Sequence, residues 1–358
     1  MITQMDFLGK EGGKGQIANY ILSNGKLDVG QLRPFIDNDG RSYVSIYKGG
    51  DPKKPENYAS LPIQTNATLR RDEWKQLDDA LIPIARTRLN GIQDLIDNGL
   101  VFNLGNAMGT TVLEYHDVSD SMEAIVTMDG VTRSQGDRPD FTTKYLPIPI
   151  IHVDYEINAR VLAASRSLGN PLDTTSAEHA ARRVAEKLES MLFTSTSYTF
   201  GGGTIYGYLN APNRNQVTLS VGWDDSAKTG ANIVDDVRSL KQASINAKHY
   251  GPWMLYIPTA YETTLDEDYN TTRGNTIRER ILAIAGIKGV KVVDTLTADN
   301  VVLVEMSTET VRLVRGMGIQ NVEWETEGKF ITKYKVLTIQ VPQVRADQDG
   351  NSGIVHLA

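Results

Sequence analysis

Residues 141–193 read FTTKYLPIPIIHVDYEINARVLAASRSLGNPLDTTSAEHAARRVAEKLESMLF. The second half of this stretch carries the strongest local signal in the chain. Thr175-Ser176-Ala177-Glu178 has the spacing of a capping box, in which hydroxyl and carboxylate satisfy the free amides of a helix start. Ala177, Ala181, Val184, Leu188 and Met191 then recur at steps of four and three, one apolar stripe along a helix. Arg182, Arg183, Glu186, Lys187 and Glu189 are expected on the other faces. The spacing predicts a helix from Thr175 to Phe193, a rod of roughly 28 Å. Another helix is expected over Asp154–Leu168, stopped by Gly169-Asn170-Pro171.

The first half reads as the returning strand of a ribbon, Phe141 to Ile151, whose outgoing strand is Thr110 to Tyr115. Pro147 and Pro149 cannot donate to a ladder, which places the return on a sheet edge. Between the strands lies a polar tip with Asp117, Asp120, Asp129, Arg133, Asp137, Arg138 and Asp140, and a short strand is expected at Met122–Met128. A connection this long is too extended for a tight hairpin, and long polar loops in compact domains are usually functional. A polar-tipped ribbon cannot build its own core, so it needs a surface on another subunit. Arg133, Asp137, Arg138 and Lys144 are its candidate inter-subunit contacts.

Residues 1–66 are rich in glycine and read as an arm that clamps a neighbour. A short helix is expected at Gly15–Leu22 and a strand at Arg41–Lys48, whose Tyr43 and Tyr47 are further candidate contacts. Thr68 to Ile96 has helical periodicity with a kink or break at Pro83. Downstream, Gly201-Gly202-Gly203 reads as a hinge or turn. Beyond it the pattern becomes α/β: helix Ala231–Ala247, strand Trp253–Ile257, a helix opened by Pro258-Thr259, helix Thr276–Ala285, and strands at Val290–Asp294, Val301–Met306 and Val311–Arg315. Tyr334–Val341 is the strongest late strand, with Glu323–Thr332 as its hairpin partner.

The chain has 358 residues, 40% hydrophobic and 23% charged, enough for two or three cores. Its net charge of −7 argues against a dedicated DNA-binding protein and helps keep a self-associating subunit soluble. The absence of cysteine excludes disulfides, zinc thiolate sites and cysteine nucleophiles. No stretch approaches the roughly 20 apolar residues of a membrane span, and the first residues lack the pattern of a secretory signal. His116, His152, His179, His249 and His356 have no metal-ligand spacing and read as structural or surface residues. Asp266-Glu267-Asp268 lacks the interleaving of a calcium loop, and Gly201-Gly202-Gly203-Thr204 lacks the Lys-Ser/Thr of a phosphate loop. Glu323 and Glu325 read as one face of an exposed strand, and no Gly-x-Ser-x-Gly elbow occurs. No catalytic residue, cofactor or metal is expected.

The order helix, ribbon, helix, long helix, α/β segment and β return resembles the tailed-phage major capsid fold, the Hong Kong ninety-seven-type fold shared with encapsulins. Local stretches resemble the encapsulin (linocin-like) branch. Leu69-Arg70-Arg71-Asp72-Glu73-Trp74-Lys75-Gln76-Leu77-Asp78 looks like its opening helix, and Phe141–Ile157 like its loop return. Tyr206-Gly207-Tyr208-Leu209, Tyr250-Gly251-Pro252-Trp253-Met254-Leu255-Tyr256-Ile257 and Ile319–Val341 look like the start of its axial segment, one of its strand entries and its closing hairpin. The resemblance covers about residues 68–358, and no single motif in it is specific.

The resemblance implies an α+β fold with an N-terminal arm at 1–66 and an extended β-ribbon loop at 107–151. It implies a peripheral domain from 67–106, 152–200 and 320–358, with the long helix as its spine, and an axial domain at 204–319. It implies a non-catalytic homo-oligomer of pentamers and hexamers that builds an icosahedral shell. As a phage capsid the shell would enclose double-stranded DNA without sequence-specific binding, with portal, scaffold or decoration proteins as further partners and no membrane. The protein would be made in the bacterial host cytoplasm and reside in the virion. Some members of the fold join a loop lysine to a neighbour's asparagine. Lys144 is the lysine of the ribbon's return, but no partner is identifiable and no cross-link is expected. In encapsulins, which begin near the Trp helix, that helix helps form the site for a cargo peptide. The 66 residues ahead of it here have no counterpart there and favour a virus capsid over a cargo compartment. The alternatives are an encapsulin-type shell around a cargo enzyme, and an enzyme with an unrecognised site.

Overall fold

A computed structural model describes residues 33–48, 54–63, 69–88, 90–105, 108–118, 126, 128, 141–168, 174–194, 198–270, 273–327, 330–347 and 350–358. The expected helix at Gly15–Leu22 and most of the expected strand at Met122–Met128 lie outside them; Val126 and Met128 are described and are not in a strand. Two sheets organise the chain. The first is four-stranded, in the order β4 (Val101–Asn103), β16 (Val311–Glu327), β17 (Ile331–Val344), β7 (Ile151–Asn158). Its centre is one long antiparallel hairpin. Val311 to Arg315 and Glu323 belong to the same strand, β16, rather than to two, and Ile331-Thr332 is already on the return. Three register shifts interrupt the ladder, at Arg315/Met317, Met317/Gln320 and Glu323/Glu325. Such bulges bend and twist a strand without ending it, which is why its apolar pattern reads as two pieces.

β7 also corrects an expectation. Residues 154–158 are strand, and the helix α3 starts only at Ala159 and runs to Leu168. Val153, Tyr155 and Ile157 are half-buried while Asp154, Glu156 and Asn158 are exposed, a period of two that pairs with β17 from Tyr155↔Tyr334 to Ile157↔Thr332. The expected helix at Thr68–Ile96 is two, α1 (Arg71–Arg88) and α2 (Asn90–Asp97); α1 continues through Pro83.

The second sheet is five-stranded and mixed. Its order is β10 (Asn215–Val217), β18 (Ile354–Leu357), β15 (Val301–Glu305), β11 (Trp253–Pro258), β14 (Ile287–Val293). Thr229 and Thr276 cap the helices α5 (Gly230–Asn246) and α6 (Ile277–Leu282), each accepting a backbone N–H from three residues on. Pro258-Thr259 opens a 3-10 turn, Thr259–Tyr261, instead of an α-helix. Every residue of β11 is buried. Trp253, Leu255 and Ile257 face α5 and α6, while Met254 and Tyr256 face the other way. The chain's last strand therefore lies inside the second sheet, and residue 320 falls within β16 of the first.

The long helix, α4 (Thr175–Thr194), joins the two layers. Ala177, Ala181 and Val184 pack with Trp74, Leu77 and Tyr334 over the first sheet. One to two turns on, Leu188, Leu192 and Phe193 pack with Tyr256, Val302 and Val304 of the second. Its start at Thr175 is the one the sequence suggests, and the Thr174 hydroxyl just ahead of it donates to the Glu178 carboxylate at 2.8 Å. At its other end the N–H groups of Tyr208 and Leu209 donate to the Leu192 and Phe193 carbonyls, which would otherwise lack partners.

Glu189 departs most from the expected pattern. It is 5% exposed rather than on an outer face, because α2 covers that side of α4. One carboxylate oxygen accepts the Gly91 N–H at 2.9 Å, near the start of α2. The other has no partner among the described residues. Asp94, also buried, accepts from the Tyr256 hydroxyl at 3.2 Å and lies 3.9 Å from the Lys291 amino group. Burial lifts the Glu189 carboxyl to about 7, and nearby Asp94 and Asp294 add to the lift. The folded protein thus holds this proton more tightly than the unfolded chain. The associated stability is complete below the unfolded carboxyl's range near 4.5 and is lost as pH rises through about 7. Glu189→Gln should abolish that dependence. Wild type measured against the variant should lose about 3 kcal/mol between pH 4.5 and pH 8 in denaturant titrations. A constant difference between the two proteins across that range would refute the assignment.

Candidate assembly surface

The ribbon consists of β5 (Val112–Val118) and β6 (Phe141–Pro147), paired from Val112↔Pro147 to Val118↔Phe141. Seven residues per strand reach about 23 Å. Among the described residues the two strands form a sheet of their own, with no third strand in its ladder. The prolines fit that position: Pro147 ends an edge strand.

The base of the ribbon is fixed and its far part is not covered. Leu146 and Ile148 are buried with Ile205, Val314 and Met317, whereas Thr142 and Thr143 are exposed. A second clamp comes from the hairpin of β8 (Tyr198–Phe200) and β9 (Gly203–Ile205). The three glycines expected as a hinge or turn make its tight turn. Gly201 and Gly202 take φ of +58° and +81°, a left-handed pair that side chains strain to adopt. At Gly203 any Cβ would sit 2.1 Å from the Tyr145 carbonyl oxygen, so only glycine lets β9 lie against β6. The hairpin exposes Tyr198 and Phe200 on its outer strand.

Of the sequence-derived contacts, Lys144 is half-buried on β6 opposite Tyr115. Arg133, Asp137 and Arg138 lie outside the described residues. Tyr43 and Tyr47 sit on a three-stranded sheet, β1 (Phe35–Ile36), β2 (Ser42–Tyr47), β3 (Tyr58–Pro62), inside the region expected to be an arm throughout. Tyr43 stacks on Phe35 and donates to Asp39 at 2.7 Å, and Tyr47 packs on Tyr58. This sheet docks on its own chain. The Trp74 indole donates to the Pro34 carbonyl at 3.0 Å, the Arg33 guanidinium lies 4.6 Å over the Trp74 ring, and Arg33 pairs with Asp78 at 2.7 Å. The β2 alternation was visible in the sequence; its docking was not, because Phe35 and Trp74 are 39 positions apart and share no local period.

Several of the sequence's other polar candidates have structural partners. His249 pairs with Glu305 at 2.5 Å, and Glu305 also accepts from the Gly251 N–H and the Thr310 hydroxyl, fastening the segment before β11 to the end of β15. These contacts hold the imidazole's proton more tightly and the carboxyl's less tightly than usual. His356, on β18, donates from Nε2 to the Asn300 side-chain oxygen at 2.8 Å and is pushed down to about 4 by burial and by Arg214. Asp266 accepts from Arg278 at 2.9 Å. Among the described residues no cluster of three His, Asp or Glu could hold a metal ion, and no helix is long and apolar enough to cross a membrane.

Known proteins carry the same architecture. A virus-like particle from Pyrococcus furiosus superposes with a TM-score of 0.58 at 18% identity, over 80% of this chain and 99% of that one. The capsid of Myoviridae phage XM1 gives 0.55 at 11% identity, covering 73% and 90%. The capsid of a native GTA particle gives 0.54 at 12% identity, covering 74% and 88%. In sequence, the chain is 27% identical over 207 residues to the Type 1 encapsulin shell protein EncA of Myxococcus xanthus, over 57% of this chain and 66% of that protein, just under two thirds of its length. The fold is that of the tailed-phage capsid and encapsulin shell subunits, the Hong Kong ninety-seven type. The profile of a family of unknown function, DUF6260, matches residues 64–357, and the chain belongs to that family.

Proposed function

We propose that this protein is the repeating subunit of a closed icosahedral shell: a major capsid protein, built from pentamers and hexamers of itself, around double-stranded DNA. The observation that carries the reading is a capsid-type fold whose ribbon is anchored at the base and, among the described residues, pairs with no third strand. Such a ribbon gains main-chain hydrogen bonds only by adding to a neighbour. Weak contacts repeated around closed rings then give a stable particle, since closure makes them multivalent. The subunit's role is structural rather than catalytic.

In this reading the four-stranded sheet with α1 and α4 forms the peripheral domain. The ribbon is the extended loop, and the five-stranded sheet with α5 and α6 is the axial domain that gathers at the symmetry axes. Arg133, Asp137, Arg138 and Lys144 contact neighbours from the ribbon, and Tyr43 and Tyr47 do so from the β1–β3 sheet. Portal, scaffold or decoration proteins are the further partners, the bacterial cytoplasm is the site of synthesis, and the virion is the site of function.

A second reading, a compartment shell around a cargo enzyme, is favoured by the sequence likeness to an encapsulin shell protein. Against it stands the β1–β3 sheet. The resemblance to encapsulins implies that the Trp74 helix helps receive a cargo peptide, and here Arg33–Ile36 covers that helix from the same chain.

Three outcomes are expected. The expressed chain should give hollow icosahedral particles by electron microscopy, and particles from the natural source should contain DNA. A co-purifying enzyme without DNA would replace the first reading by the second, and a stable monomer under all conditions would remove both. Deleting residues 1–32, which leaves the docked sheet intact, should preserve the melting temperature but weaken particle formation. Unchanged particles would show that this segment is not a clamp. Reversing charge at Arg133 and Arg138 should cut particle yield several-fold while changing the subunit's melting temperature far less. An unchanged yield would place the interface elsewhere.

A further inference from the structure

Three segments far apart in sequence meet at one buried carboxylate. Glu305, the last residue of β15, is 6% exposed. From the connection between α5 and β11, the Gly251 N–H donates to its Oε1 at 2.9 Å and His249 Nδ1 donates to its Oε2 at 2.5 Å. From the connection between β15 and β16, the Thr310 and Ser307 hydroxyls donate to Oε2 at 2.8 and 3.2 Å. The approach to β18 closes the third side, where the Gly353 carbonyl accepts the Glu305 N–H at 3.0 Å. Any Cβ at Gly353 would lie 2.5 Å from Thr310 Oγ1 and 2.8 Å from Glu305 Oε2, so only glycine lets the chain pass this close.

His249 supplies the positive charge of this group. Two carboxylates act on its ring, Glu305 from β15 and Asp347 from just beyond β17, and the Asn351 backbone also bonds to it. Asn351 in turn holds Asp347, donating from its backbone N–H at 2.6 Å and its side-chain amide at 2.7 Å. Arg345 is turned to the Thr308 carbonyl at 3.2 Å, and Lys248 is exposed. The hydrogen bond to Glu305, against the opposing effect of burial, makes the imidazole hold its proton more tightly than a free histidine does. Burial alone would raise the Glu305 carboxyl, and the bonds from His249, Thr310 and Gly251 outweigh it and keep it ionised. A charged ring carries two N–H donors and attracts both carboxylates, whereas a neutral ring keeps one donor and no charge.

We propose that His249 and Glu305 form a proton-operated latch: the charged imidazole fastens the entry of β11 and the approach to β18 to the end of β15, and both segments loosen when the imidazole loses its proton. The folded ring titrates above its unfolded value of 6.5, so its contribution is complete below 6.5 and is lost as pH rises through the folded value. Glu305 sets the other limit. Its folded value lies below 4.5, so its contribution is complete above 4.5 and is lost as pH falls through the folded value. The latch is therefore closed in mildly acidic solution and opens toward alkaline pH. Opening is local, because β18 stays paired with β10 and β15 beyond Gly353. Tyr250, 70% exposed between His249 and Gly251, rides on the latched segment, so the pose of this aromatic follows the proton. The inference rests on these contacts and does not require that the protein form a shell.

The test is hydrogen–deuterium exchange of the full chain, read by mass spectrometry from about pH 5 to about pH 9, with exchange times scaled for the intrinsic pH dependence of amide exchange. Peptides spanning 247–252 and 346–353 report the latch, and a peptide from α4 is the reference that cancels any global loss of stability through Glu189. Relative protection of both latch peptides is expected to fall several-fold between the acidic and alkaline ends of the range. His249→Gln should show low protection throughout, with no fall. Glu305→Gln keeps an acceptor oxygen but removes the charge, and it serves as the second probe if His249→Gln does not fold. It should move the fall to lower pH, since the ring loses its main partner. Constant relative protection of the wild type across the range would overturn the proposal. So would a fall in either variant that matches the wild type in size and midpoint.

Discussion

Burial of α4 between two sheets is the contact on which the architecture depends. A helix facing one sheet needs a single apolar stripe, and the steps from Ala177 to Met191 supply one. α4 does more. Its first half closes the core of the four-stranded sheet, and Leu188, Leu192 and Phe193 close one face of the five-stranded sheet. Each fully buried Leu or Phe is worth about 1.5–3 kcal/mol, so the two layers share a rigid axis rather than a flexible linker. The ribbon leaves just before β7, and the hairpin β8–β9 follows α4.

That arrangement explains the polar groups at the junction. Glu189 sits where α4 passes the start of α2, and burying it is costly unless its proton stays on or its oxygens find donors. The Gly91 N–H supplies one. Phe193, Tyr208 and Tyr256 close the junction with ring centroids 5.0 to 6.1 Å apart. The junction thus holds two buried carboxyls, Glu189 and Asp94, while the ribbon is fixed to it at its base.

Much of the element order was legible in the residues. α4, α5, β11 and the late hairpin follow from period and capping, and the capsid-type resemblance follows from their sequence. The errors fall where tertiary contacts outweigh local pattern. Residues 154–158 read locally as the start of the helix that follows them; pairing with β17 makes them strand. The bulges of β16 broke its alternation into two apparent strands. Residues 33–63 looked like an arm because their apolar partners, Leu69 and Trp74, lie beyond a polar gap.

By itself, the sequence determined which segments are helix or strand where the periodicity is long, that no disulfide or thiolate metal site can exist, and that one ribbon is too polar to make its own core. Those properties are local: they depend on neighbours a few positions apart. Only the tertiary structure decided that Glu189 is buried, that the last strand returns to the second sheet, that the β1–β3 sheet covers Trp74, and that His249 meets Glu305. Each of these joins residues distant in sequence, and no period or spacing encodes which distant surfaces meet; packing two sheets about one helix does.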